Sequence, residues 1–412
     1  MHKNISPHIY VFSTLLTALL AFFIFSGTGA SRDLFLVPVF GLTAIYGLIN
    51  LVGQYKGNSR FRVQKDIKFK LLLRKSAVRY LVWLAVICLA AGFYEVHPTY
   101  RGVRDNSLFF SYLFRFYLIG GLPYFFITLI IKSSPVEDFY DPSIRIIHIL
   151  KQMVVRFIRR DFSNVFRALK NRYNRKVLLN LVVRFYFIPV MVSQIYANIN
   201  GAVRSSNQHF MDYSYLSICA WISSMLWLMD VLNTSLSYCV ESRWIENRSR
   251  SVDLTVSGWV VCISCYAPVN AATGALFPFG PFAGAAHPES ILSGSETFLY
   301  VLRTLEVLLL AIHIYAVTSL GPSMANLTFK KLQTGGLYGV IRHPGTTFKL
   351  LLWWMQSAAY AEFWRIEYIF GQLMWNVLYV LRAFTEERHL SGHEEYREYK
   401  KTVKYRFIPG VI

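Results

Sequence analysis

The sequence predicts an all-α, polytopic integral membrane protein with about ten transmembrane helices, closed by a C-terminal hairpin and a cytoplasmic tail. Three observations lead there. Hydrophobic residues make up 54% of the 412 residues and charged ones only 16%, less charge than a soluble domain carries. The apolar residues come in runs near 20 long, the length that crosses a bilayer as helix. The connections between runs alternate between rich and poor in Lys and Arg, as in chains that keep their basic loops in the cytoplasm.

Taken in order, the spans are expected at 9–27, 34–53, 79–97, 107–131, 177–199, 214–239, 253–275, 297–319, 348–363 and 366–384. A short loop with Ser31, Arg32 and Asp33 joins the first two. The connection from Gln54 to Ala77 carries Lys56, Arg60, Arg62, Lys65, Lys68, Lys70, Arg74 and Lys75 against Asp66 alone, which assigns it to the cytoplasm. The stretch Phe277–Ser295 has no Lys or Arg and belongs outside. This threading puts both termini in the cytoplasm, and in a bacterium the membrane would be the inner, plasma membrane. The first run is too long for a typical signal-peptide core, and Thr28-Gly29-Ala30 is a weak cleavage site.

Between spans four and five, Ser133–Lys176 is long and patterned. Ile144, Ile147, Leu150, Val154, Phe157 and Ile158 recur at helical spacing, interleaved with Arg145, Lys151, Arg156, Arg159 and Arg160. That reads as one or two basic amphipathic helices lying among headgroups, where each cation attracts anionic lipid by about 1 kcal/mol. The net charge of +20 therefore reads as loop placement and lipid attraction, and nothing in the chain calls for nucleic acid. Cys88, Cys219, Cys239, Cys262 and Cys265 all fall within apolar runs. No disulfide framework and no metal site follow from them.

The chemistry is concentrated in 321–412, with 1–320 as its helical scaffold. Gly335-Gly336-Leu337-Tyr338 leads into Arg342-His343-Pro344; an apolar hairpin follows, then Arg382-Ala-Phe-Thr-Glu386-Glu387 and a basic, aromatic tail through Gly392, Tyr396, Tyr399, Arg406 and Pro409. In order and spacing this resembles the C-terminal region of the isoprenylcysteine carboxyl methyltransferase family and the related phospholipid methyltransferases, membrane enzymes that bind S-adenosylmethionine. The resemblance covers roughly the last 90 residues. Against the family frame G-P-Y-R-x-x-R-H-P-x-Y, the chain keeps Tyr338, Arg342, His343 and Pro344. Leu337, Gly339 and Thr346 stand where proline, a basic residue and the second tyrosine are usual.

The resemblance implies a cofactor site lined by Arg342, His343, Glu386 and Glu387; residue chemistry adds Gly336, Tyr338 and Pro344 to the lining, with Glu386 and Arg382 as catalytic residues and Arg382 or Lys349 orienting an anionic acceptor. Residue chemistry agrees with the types. S-adenosylmethionine has a carboxylate suited to Arg or His, a ribose diol suited to a carboxylate, and a sulfonium favoured by negative charge and aromatic faces. In-line methyl transfer asks the protein for positioning and electrostatics. Glycines let the backbone approach, and Pro344 opens a helix. Arg382 and Glu386 are four apart and expected to pair. The acceptor would be a lipid headgroup, phosphate or carboxylate on a lipidic or lipid-anchored molecule; an anionic oxygen needs no general base. Asp230, Glu306, His313 and Lys349, polar residues inside spans, are further candidates for an acceptor cavity.

Two other readings compete. A membrane sterol reductase using NADPH has a similar Arg-His turn, but a Glu-Glu pair repels a 2′-phosphate. The other is a non-catalytic relative, its activity lost through the departures at Leu337, Gly339 and Thr346, or a transporter, which would carry inverted repeats or paired broken helices; neither of these marks is evident in the sequence.

Overall fold

The computed structural model describes residues 6–27, 36–55, 62–63, 68–101, 104–132, 141–212, 214–278 and 294–411. The expected loop at Ser31–Asp33, the weak cleavage site at 28–30, the basic residues Lys56, Arg60 and Lys65, the 133–140 part of the amphipathic segment and residues 279–293 of the outside loop lie outside them.

The helices are α1 (Pro7–Gly27), α2 (Leu36–Tyr55), α3 (Phe69–Val96), α4 (Arg104–Ile130), α5 (Pro142–Ile158), α6 (Arg172–Asp212), α7 (Tyr215–Cys239), α8 (Val256–Ile263), α9 (Val269–Leu276), α10 (Glu296–Thr318), α11 (Pro344–Ala358), α12 (Ile366–Leu390) and α13 (Glu394–Thr402). Two antiparallel pairings of two residues each, Arg62-Val63 with Lys132-Ile131 and Ser251-Val252 with Phe329-Thr328, are the strands among the described residues. The protein is all-α. Among the described residues six helices (α1, α3, α4, α6, α7 and α10) are long and apolar enough to cross a membrane, and α2 has a shorter apolar stretch at 37–52.

The other expected spans differ for local reasons. The seventh, foreseen as one helix over 253–275, is two helices of eight residues, α8 and α9. Pro268 has no N–H to give and would collide with the carbonyl of Ser264. Helix α8 stops at Ile263, and the Ser264 carbonyl accepts instead from the Thr273 hydroxyl at 3.1 Å. The ninth span, α11, has 15 residues, and the tenth, α12, is diluted by Gln372, Asn376 and Arg382. The hairpin between them turns through a 3-10 segment at Ala361–Trp364, next to the expected Trp364-Arg365. Helices also absorb residues read as loop. Helix α3 begins at Phe69 and takes in Lys70, Arg74 and Lys75. Helix α6 runs 41 residues, about 60 Å at the α-helical rise.

Packing divides the chain into two units, 48–192 and 1–47 with 193–412. Residues 321–412 thus share a unit with much of the chain before 320. In the 48–192 unit α3 packs along α4, with Tyr80 and Tyr117 stacked at 5.2 Å and the Tyr117 hydroxyl donating to the Tyr80 carbonyl. Leu89 and Ile119 on these helices point outward, 72% and 79% exposed, as lipid-facing side chains do.

In the other unit α10 lies against both α7 and α11, α1 against α7, and α12 against α8. Polar side chains stitch these helices. Tyr46 on α2 donates to Asn233 on α7 and shares a hydrogen bond with Thr14 on α1. Glu306 pairs with Arg303 one turn earlier at 2.7 Å, and Arg303 also donates to the Tyr360 hydroxyl. His313 donates from Nδ1 to the Gly345 carbonyl at 2.8 Å and packs against Trp227. His313 is thus engaged with the start of α11, while Glu306 Oε1 is buried without a hydrogen-bond partner among the described residues.

Candidate functional site

The polypeptide between α10 and α11 is irregular and well tied. Thr328-Phe329 pairs with Ser251-Val252, and the Lys330 ammonium donates to the Ser237 carbonyl and hydroxyl at the end of α7. A 3-10 turn over Gly336–Gly339 follows. Gly336 sits at φ +62°, and a Cβ there would meet the Tyr315 hydroxyl at 3.0 Å; the turn needs glycine for both reasons. Tyr338 follows, its carbonyl accepting from the Tyr399 hydroxyl at 2.6 Å. Burial pushes the Tyr399 phenol above its ordinary range, so it stays a donor.

Arg342 and His343 then meet the tail. Their backbone N–H groups donate to the carbonyls of Tyr405 and Arg406 at 3.0 and 2.9 Å, a strand-like clasp just before Pro344 opens α11. The Arg342 guanidinium donates to the Val403 and Lys404 carbonyls at 2.7 and 2.6 Å and, through Nε, to Glu387 Oε1 at 2.6 Å. His343 Nε2 reaches the same oxygen at 3.2 Å. Arg406, lying over the Phe384 ring, donates to Glu387 Oε2 at 3.0 Å. Arg342 and Glu387 are 7% and 3% exposed. Burial alone would raise the Glu387 carboxyl; donation from His343 and Arg342 outweighs it and holds the group well below the usual carboxylate range.

One residue earlier, Glu386 points elsewhere, because successive helical side chains are about 100° apart. It is exposed and makes no hydrogen bond or ion pair among the described residues. It lines a shallow, open cleft, whose enclosed space is about 20 Å³, with Arg382 and Thr385 on α12, Asp253 and Cys262 from the 253–263 segment, and Asn326. Thr255 caps α8, accepting from the Gly258 N–H, and Asp253 Oδ1 holds it by accepting from its N–H and hydroxyl. The expected Arg382–Glu386 pair is not formed. Arg382 donates from Nη1 to the Tyr266 hydroxyl at 2.9 Å, lies 4.8 Å over the Tyr379 ring, and has a buried Nε without a hydrogen-bond partner. Tyr338 is close enough to Glu386 that burial, and then that charge, push its phenol up.

The expected residues thus fall into two groups on two sides of the end of α12. Arg342, His343, Pro344 and Glu387 join with Arg406 into a closed cluster; Arg382 and Glu386 line an open cleft, with Tyr338 and Gly336 nearby in the 3-10 turn. Lys349, with its Nζ over the Tyr379 and Trp353 rings, lies within electrostatic reach of Asp230 and Arg382.

No family model, curated protein or solved structure matches this chain.

The cleft's unpaired carboxylate and second acid, Asp253, suit a cation bearing a diol, as S-adenosylmethionine does. Arg342 and His343 point their donors at Glu387 and at carbonyls, and do not suit a free carboxylate. Tyr266, Tyr379 and Asp253 escaped the sequence reading. Tyr266 is 116 residues from Arg382, in a span read only as a membrane helix, and carries no motif.

Proposed function

We propose that this protein is an S-adenosylmethionine-dependent methyltransferase acting on a membrane-embedded acceptor, with the cleft beside α12 as its cofactor site. The observation that carries this reading is the unpaired Glu386 carboxylate, facing a cleft shared with Arg382 and Asp253. When bound, S-adenosylmethionine supplies an electrophilic methyl group on a sulfonium. Glu386 accepts from the ribose hydroxyls or faces the positive end. Arg382, pinned by Tyr266 and Tyr379, orients an anionic acceptor such as a phosphate or carboxylate. An acceptor already anionic leaves no proton for the protein to remove. The Glu387 cluster acts by position: it fixes the tail and the start of α11 around the end of α12. The expected topology, about ten spans with both termini cytoplasmic, opens the cleft to the compartment that holds the cofactor.

Calorimetry on the detergent-purified protein tests the reading. S-adenosylmethionine should bind and NADPH should not. Glu386→Gln should weaken binding about 10- to 100-fold, the worth of a hydrogen bond to a charged group. Glu394→Gln, on an exposed face of α13, should leave it unchanged. Equal affinity in both variants would remove Glu386 from the site, and absence of binding to the parent protein would remove the cofactor.

A further inference from the structure

The strongest unexplained feature outside the cleft is the α5 hairpin. Helix α5 has two apolar faces. The inner one buries Ile146 and Ile149, and α5 packs on α3, where buried Arg79 pairs with the N-cap Asp141 at 2.5 Å. The outer face exposes Ile147, Leu150, Val154, Phe157 and Ile158, whose spacing puts them in one stripe about 100° wide. Exposure reaches 62% at Phe157 and 73% at Ile158. Lys151 and Arg159, both exposed, lie along one side of this stripe.

After Ile158 the chain turns back. The Asp161 N–H donates to the Arg156 carbonyl, the Asn164 N–H to the Asp161 carbonyl, and the Arg156 guanidinium to the Asn164 carbonyl. A 3-10 helix, Phe162–Lys170, then packs against α5. The Phe157 and Phe162 rings meet edge to face at 5.6 Å, so the exposed stripe continues onto the second limb, where Phe162 and Phe166 are 61% and 63% exposed. Across 142–170 the basic residues are Arg145, Lys151, Arg156, Arg159, Arg160, Arg167 and Lys170, against Asp161 alone.

We infer that this hairpin is a docking surface for the anionic leaflet of the protein's own membrane, with the Leu150–Phe157–Phe162–Phe166 stripe sunk among acyl chains and the flanking cations at the phosphates. Charge complementarity selects the occupant. An aliphatic and aromatic stripe bordered by cations matches a surface that is apolar beneath and negative on top. Nucleic acid would engage the cations and leave the stripe in water. The inference is independent of the proposed methyl transfer, since none of these residues lines the cleft.

The test uses the full chain in lipid nanodiscs, in a Cys88→Ala background because Cys88 is exposed. Nitroxide labels are placed at Leu150→Cys and Phe157→Cys, and at Gln152→Cys as the water-side control. In discs containing phosphatidylserine, labels at 150 and 157 should collide with oxygen more than with a water-soluble nickel chelate, at a depth of about 5–10 Å, while the label at 152 should favour nickel. Adding Lys151→Glu and Arg159→Glu should raise nickel collisions at 150 and 157 at least twofold in anionic discs and leave pure phosphatidylcholine discs unchanged. Nickel accessibility at 150 and 157 equal to that at 152 in anionic discs overturns the proposal. So does dipolar broadening between labels, which would put a second copy over the stripe, or a charge-reversal effect equal in both lipids.

Discussion

At the scale of single residues, Glu386 and Glu387 carry opposite consequences from adjacent positions. Glu387 gives both oxygens to Arg342, His343 and Arg406 and is buried, so removing its charge strands a buried guanidinium. Glu387→Gln should cost about 3 kcal/mol of stability, the low end of the range for breaking a buried pair, because the amide oxygen still accepts. The same residue sets a pH dependence. Its folded carboxyl titrates below the ordinary carboxylate range, so its stabilisation is complete above about pH 5. It is lost as the pH falls through the normal carboxylate pKa toward the lower folded one. Melting temperatures measured in detergent between pH 7 and pH 3 should fall more steeply for the parent than for Glu387→Gln. Parallel curves would mean that the cluster holds no charge.

At the scale of elements, the position of α12 depends on a close approach. A Cβ on Gly371 would stand 1.9 Å from the Pro278 carbonyl oxygen, and one turn on, Trp375 donates to the Phe277 carbonyl at 3.0 Å. Gly371→Ala must drive α12 away from residues 277–278, at about 1–3 kcal/mol as for other overpacked sites. Its expected signature is a lowered melting temperature and, because α12 carries the cleft, weaker ligand binding than in the parent protein. The division of the seventh span belongs to this scale too. Pro123 and Pro189 sit inside α4 and α6 without ending them, whereas α8 ends before Pro268, so proline by itself did not say which helix would break. A hydroxyl partner for the freed carbonyl does not decide it either: Ser264 accepts from Thr273 where the helix breaks, and Phe185 accepts from Tyr94 where α6 continues through Pro189.

For the whole molecule, the prediction is orientation. The tail from Arg388 to Arg406 carries Arg388, Arg397, Lys400, Lys401, Lys404 and Arg406, and translocating so many cations is disfavoured. A reporter fused to the C-terminus should be active only if it works in the cytoplasm. Activity of an externally maturing reporter at that position would invert the topology and carry the cleft away from its cofactor.

Helical class, the position of most long helices and the amphipathic character of 142–158 were legible in the sequence, because hydropathy and its 3.6-residue period are local properties. So was the meeting of Arg342, His343 and Glu387 at one end of a hairpin, since an antiparallel helix pair brings its outer ends together. The tertiary structure alone decided what those residues do. Arg406 reaches Glu387, and the carbonyls of 403–406 take up the donors of Arg342 and His343, only once the tail has folded back onto the start of α11. Arg382 is diverted from Glu386 by Tyr266, which arrives from 116 residues away. Helical periodicity says that Glu386 and Glu387 face different ways; which of the two is buried depends on the neighbours that packing brings, and those are set by contacts distant in the chain.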